Sequence, residues 1–216
     1  MKKILVLPLI AIIFITACSS NAIVENQMGN VKLTAADLPA GFSERKDTFF
    51  DTSLVSTILQ KGFLNSVPTG KILNTSAFVK DAKEASYGIL SFEYLLSDTE
   101  KSFIITETKK QDVATCCKLL VQILQVEDQT TCQKPGFTSL IKVYPELNNI
   151  GEASLGCDLN APGTGVFDFG HSFNRNALSF ILDGFTLTDQ TATVSTLIDL
   201  KTLLTSMDTK VKALAK

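Results

Sequence analysis

The sequence predicts an α+β fold: a single domain in which an antiparallel sheet is packed by two or three helices, with a long helix at the C-terminus. Three observations carry this. Residues 167–182 alternate apolar and polar positions in two short runs around a polar turn, which is the pattern of a hairpin with one apolar face. Leu197, Leu200, Leu204, Met207, Val211 and Leu214 recur at steps of three and four, which draws one stripe down a helix. Hairpins are more evident than long crossovers between strands, and short connections join antiparallel neighbours.

The chain opens with Lys2 and Lys3, followed by Ile4 to Ile15, a dozen residues that are apolar apart from Pro8. A helix needs about 20 residues to cross a hydrocarbon core of roughly 30 Å, so this run is too short to span. It fits the apolar region of a secretory signal, residues 1–17. Ile15-Thr16-Ala17-Cys18 then resembles the lipobox of bacterial lipoproteins. The resemblance implies cleavage before Cys18, a diacylglyceryl thioether on its sulfur, and an acyl chain such as palmitate on the new amine. Each buried CH₂ contributes about 0.8 kcal/mol, and two or more chains anchor a protein stably where one does not. Ser19 after the cysteine resembles the signal for outer-membrane sorting in bacteria with two membranes. The expected location is therefore the exported face of the cell membrane, or the outer membrane where there is one.

Residues 18–32 read as the lipidated cysteine and a small, polar, aperiodic tether, and residues 33–216 as the domain. Removing residues 1–17 from the 216 leaves 199, enough for one core burying roughly 70% of its unfolded surface. The signal takes Lys2 and Lys3 with it, moving the formal charge from −2 to −4. A mildly acidic chain without a basic run argues against nucleic acid as a partner.

Within the domain, Asp37 to Phe42 reads as a turn. Leu54, Val55, Ile58 and Leu59 place a short helix over 51–61 before Gly62. Strands are expected near 77–80 and 86–95. Ser97 to Glu100 has the spacing of a capping box, which predicts a helix over 97–108 despite the β-branched pair Ile104-Ile105. Val113, Cys116, Cys117, Leu120 and Leu124 predict a helix over 111–126 with both cysteines facing inward. Strands follow at 137–144 and 152–159, then the hairpin turning at 174–176, then the C-terminal helix. Both halves thus run strand, strand, helix, which suggests duplication.

Besides Cys18, the cysteines are Cys116, Cys117, Cys132 and Cys157, an even number that suggests two disulfides in an exported chain. A bond between the neighbours Cys116 and Cys117 would close a strained eight-membered ring and is set aside. That leaves Cys116 with Cys132 and Cys117 with Cys157, or the crossed alternative. No C-x-x-C pair exists and His171 is the single histidine, so disulfides are favoured over a zinc site.

No stretch calls for a cofactor. Asp168-Phe169-Gly170 spells the kinase metal-binding triplet but lacks an H-R-D loop, and Gly163-Thr164-Gly165 opens a strand where a nucleotide loop would open a helix. Asp168 and His171 stand three apart in an extended run, so they point to opposite faces and Asp168 cannot orient the imidazole. His171 instead shares a face with Phe167, Phe169 and Phe173, and with Phe180 on the returning strand. These five residues form an apolar surface, either core beneath the last helix or the wall of a pocket for a greasy ligand. Asp37 to Phe42, Ile150 to Ser154 and Phe173 to Leu178 resemble landmarks in a diffuse set of exported bacterial sensor domains and small envelope lipoproteins. That resemblance implies non-enzymatic binding. The expectation is a lipid-anchored envelope protein that binds a partner protein or an apolar ligand. The alternative is an envelope hydrolase whose residues meet only in three dimensions.

Overall fold

A computed structural model describes residues 28–45, 69–81, 86–123, 129–159, 169–175, 177–187 and 198–214. Among these, β1 (Ser43–Arg45), β2 (Lys71–Asp81), β3 (Ser86–Leu95), β4 (Ile141–Val143), β5 (Ala153–Leu159), β6 (Phe169–Arg175) and β7 (Leu178–Leu187) form a seven-stranded sheet in the order β1-β2-β3-β7-β6-β5-β4. Every neighbouring pair is antiparallel. The helices are α1 (Asp98–Thr108), α2 (Val113–Ile123) and α3 (Leu200–Leu214). The molecule is α+β, with the expected antiparallel sheet and C-terminal helix.

The sheet is covered on both sides. Phe78, Ile89, Phe173, Phe180 and Leu182 point to one face and pack with Leu200, Leu204, Met207 and Val211 of α3. The opposite face divides between two clusters. Leu90, Phe92, Tyr94 and Ile181 meet Ile104 of α1, while Leu155, Cys157 and Leu159 meet Cys116, Leu120 and Val121 of α2. Successive strand residues alternate sides, so a central strand flanked by two helical layers buries nearly every position. That is why β3 and β5 carry almost continuous burial.

The hairpins β2–β3 and β6–β7 meet edge to edge at the β3–β7 pair, as a duplication of strand pairs would have it. The repeat stops there. Helices α1 and α2 lie on one face and α3 on the other, so the two halves do not superpose as strand-strand-helix units.

The capping box predicted at Ser97 is present, with the hydroxyl accepting from the Glu100 N–H and the Glu100 side chain accepting from the Ser97 N–H. This satisfies two of the orphan donors at the start of α1 and outweighs the strand preference of Ile104-Ile105. Several boundaries differ from the sequence reading. The strand expected at 77–80 runs the length of β2. The strand expected at 137–144 shrinks to β4, because Pro135 begins a helical turn, Pro135–Thr138, whose first position needs no N–H. Asn174 and Arg175, expected in the turn, remain in β6. Val113 starts α2 and is exposed, leaving Cys116, Cys117, Leu119, Leu120 and Val121 as its buried face. The helix expected at 51–61 lies outside the described residues. The domain also begins earlier than residue 33. Residues 28–31 form a helical turn, and Met28, Val31 and Leu33 are buried against the α3 face.

Candidate functional site

The chain's single histidine sits in a buried polar cluster with Asp158 and Tyr144. His171 of β6 pairs with Gly156 of β5, and Asp158 lies on the same face one pleat along. Tyr144 follows β4 directly and stays in the ladder through its N–H, which donates to the Gly156 carbonyl at 3.2 Å. Asp158 Oδ1 lies 3.0 Å from His171 Nε2, and Asp158 Oδ2 accepts from the Tyr144 hydroxyl. A carboxylate only accepts, so Nε2 carries the proton facing it. The Tyr144 and His171 rings are 5.5 Å apart at 47°, and the Lys142 ammonium stands 4.6 Å from the Tyr144 ring centre. Burial, reinforced by the Asp158 charge, pushes the Tyr144 phenol well above its usual range and keeps it a donor.

Glycine makes this packing possible. A Cβ at position 156 would lie 2.7 Å from His171 Cε1 and Nδ1 and 2.6 Å from Leu147 Cδ1. The imidazole lies over bare backbone that a side chain would occupy. A carboxylate holding an imidazole in one tautomer is the orienting half of an acid–base pair. Here, however, His171 is 0% and Asp158 5% exposed, so no substrate touches the ring in this conformation. The arrangement therefore ties β4, β5 and β6 together.

The predicted residues distribute as follows. His171 and Phe173 share a face, as the alternation required. Phe173 and Phe180 stack with centroids 4.7 Å apart and planes 3° from parallel, both fully buried beneath α3. They are interior to the sheet–α3 layer and line no surface. Phe169 enters β6 opposite Asp158. Phe167, Asp168 and Cys18 lie outside the described residues. The carboxylate that reaches His171 comes from the neighbouring strand, and the sequence reading, which weighed only Asp168, missed it.

The cysteines form the second alternative of the two left open: Cys116 bonds Cys157 and Cys117 bonds Cys132. Successive residues on a helix are turned by about 100°, so neighbouring thiols are aimed at different elements. Cys116 reaches the sheet, and Cys117 reaches the 3₁₀ turn Gln129–Gln133. Both are fully buried, which is the inward placement expected of them.

Two further buried carboxyls lie on central strands. Glu93 of β3 accepts from Asn74 Nδ2 and Ser91 Oγ, each at 2.7 Å, and from the Leu33 backbone. Burial raises its pKa against those hydrogen bonds. Asp183 of β7 stands between Leu90 and Gly170 on the α1–α2 face, and desolvation raises it to about 8. Both sit on strands buried on two sides, where alternation no longer marks a solvent face. The available signal was charge within an otherwise apolar run. Among the described residues no group of three or more His, Cys, Asp and Glu converges as a metal site, and no helix is long and apolar enough to cross a membrane. Comparison with protein-family models, curated proteins and solved structures finds no match.

Proposed function

We propose that this chain is an exported, lipid-anchored protein of the cell envelope that binds a partner protein or an apolar ligand without chemical turnover. The observation that carries the reading is the order at the N-terminus: Lys2-Lys3, the apolar run, then Ile15 to Cys18. Two disulfides support it, because such bonds persist in oxidising compartments outside the cytosol. The burial of Met28 in the core bears on the geometry. Ten positions from Cys18 to Met28 span at most about 35 Å, so a lipid on Cys18 would keep Met28 within that reach of the bilayer. The test is Cys18→Ala in the native host. The expected outcome is release from the detergent-extractable membrane fraction or accumulation of unprocessed precursor. Mass spectrometry of the wild-type N-terminus should read the lipid on Cys18 together with any co-purifying apolar ligand. Unaltered processing and partition in the mutant would remove the assignment.

A second reading, an envelope hydrolase, is favoured by one observation, the 3.0 Å approach of Asp158 to His171. The two readings separate on His171→Gln. A scaffold histidine gives a loss of at most a few kcal/mol in stability and leaves binding within about tenfold. A general base gives a fall of about 10² to 10⁴ in turnover of an ester or amide substrate by a mutant that is still folded.

A further inference from the structure

The two disulfides are unequal in what surrounds them. Cys116–Cys157 joins α2 to the middle of β5, with both residues fully buried, and Cys116 Sγ also lies 3.6 Å from the Gly156 carbonyl. Cys117–Cys132 joins the same helix to a segment of another kind. From 130 to 140 no residue is buried: Thr131, Cys132, Phe137 and Thr138 are half-buried and the rest are exposed, Leu140 included. Among the described residues, the hydrogen bonds of 131–140 close within the segment itself. The Lys134 N–H donates to Thr131, the Phe137 and Thr138 N–H groups to Lys134, the Ser139 N–H to Pro135 and the Leu140 N–H to Phe137. The Thr138 and Ser139 hydroxyls likewise donate to Lys134, Pro135 and Gly136. Its apolar attachment to the cluster over β5 consists of Phe137 and Cys132. With so little burial and, among the described residues, no hydrogen bond outward, residues 131–140 have little free energy of their own to hold them in place. The bond from Cys132 to Cys117 is their principal tie.

We propose that residues 131–140 form a redox-released cap: reduction of Cys117–Cys132 frees it from α2, while Cys116–Cys157 keeps α2 on the sheet. The reductant is a dithiol. Its thiolate attacks Sγ of half-exposed Cys132, and Cys117 leaves as a thiolate that takes a proton. The second thiol of the reductant then displaces Cys132 from the mixed disulfide. Two electrons pass to the protein, the reductant closes to its own disulfide, and its two thiol protons end on Cys117 and Cys132. The buried bond behind offers no such access, because exchange requires the attacking sulfur to reach in line. Opening the cap uncovers the apolar side of α2 around Cys117, where it faces the 3₁₀ turn.

The test is stepwise reduction of the full-length oxidised protein with dithiothreitol, quenched by alkylation and read by peptide mass spectrometry, with amide hydrogen exchange on the same samples. Cys117 and Cys132 should become alkylated at least tenfold faster than Cys116 and Cys157. In the species that retains one bond, exchange across 131–140 should rise at least tenfold, with β5, β6 and β7 unchanged. A Phe137→Ala variant, still oxidised, should accelerate the first reduction. Simultaneous opening of the two bonds, earlier opening of Cys116–Cys157, or unchanged exchange in 131–140 after the first reduction would each overturn the proposal. Because the wild-type protein supplies the decisive species, a variant that fails to fold does not affect the outcome.

Discussion

Gly156 is where a single missing carbon decides the most. Its Cβ position is occupied by the imidazole of His171 and a methyl of Leu147, so Gly156→Ala must displace one or the other. The expected cost is about 1–3 kcal/mol by overpacking, read as a lower urea midpoint with an unchanged slope. Asp183 gives a second prediction at this scale. Its folded pKa of about 8 lies well above the ordinary carboxyl value of about 4, so the native state binds a proton that the unfolded chain releases. Stability contributed by that proton is fully present below about pH 4 and falls as pH rises towards 8, by up to about 1.4 kcal/mol per unit. Asp183→Asn should flatten that slope and be more stable than wild type at pH 8 in urea titrations. The partnership of His171 with Asp158 was not legible beforehand for a definite reason. Sequence spacing fixes which residues share a face within one strand, but cross-strand neighbours depend on register, which alternation within one strand does not give.

At the level of elements, α3 is fastened to the sheet by more than its apolar stripe. Arg175 of β6 donates through Nε and Nη2 to the Asp208 carboxylate, the second contact at 2.9 Å, and Lys212 reaches the same carboxylate at 2.8 Å. Burial alone would raise the Asp208 pKa, but these cations outweigh it and hold it below the usual carboxylate range. The stability it contributes is present above the unfolded pKa near 4 and lost as pH falls through the folded value. Arg175→Ala should cost about 2 kcal/mol at neutral pH and weaken the acid sensitivity, checked by denaturation at pH 3 and pH 7. The two disulfides rank differently by loop size. Closing 15 positions contributes about 3 kcal/mol and closing 41 about 4 kcal/mol on the chain-entropy account. Legibility at this scale followed periodicity. The stripe of α3 and the alternation of β6 and β7 were plain because each element has one buried side. Strand β4 was misjudged as 137–144 because apolar Phe137 and Leu140 carry strand character, while the proline two residues before Phe137 sets a helical turn instead. The pairing of the cysteines was narrowed to two, and only the tertiary path of 129–133 past α2 decides between them.

For the molecule as a whole, the first consequence concerns where the domain starts. Met28, Val31 and Leu33 all belong to the core beneath α3, and the Leu33 backbone reaches Glu93. Burying three such side chains contributes on the order of 5 kcal/mol, comparable with the total stability of a typical domain. A chain beginning at residue 34 should therefore lose most of the cooperative urea transition shown by one beginning at residue 28. The sequence reading placed this boundary at 33 because Gln27 to Lys32 is short and mixed, too brief for periodicity to reveal a buried turn. The second consequence follows from the strand order. The central seam of the sheet, β3 against β7, joins residues about 90 positions apart in the chain. When β2 and β3 first emerge during synthesis, the partner that will cover the edge of β3 has not yet been made. The nascent chain thus carries an open, apolar strand edge until Leu187 arrives, and the closing of that long loop makes assembly slow on the scale of local hairpins. On the export proposed above, such delay would be an asset: a chain threading unfolded through a translocation channel would stay passable until nearly all of it had crossed. The same delay leaves the edge of β3 open to pairing with other strands in the meantime.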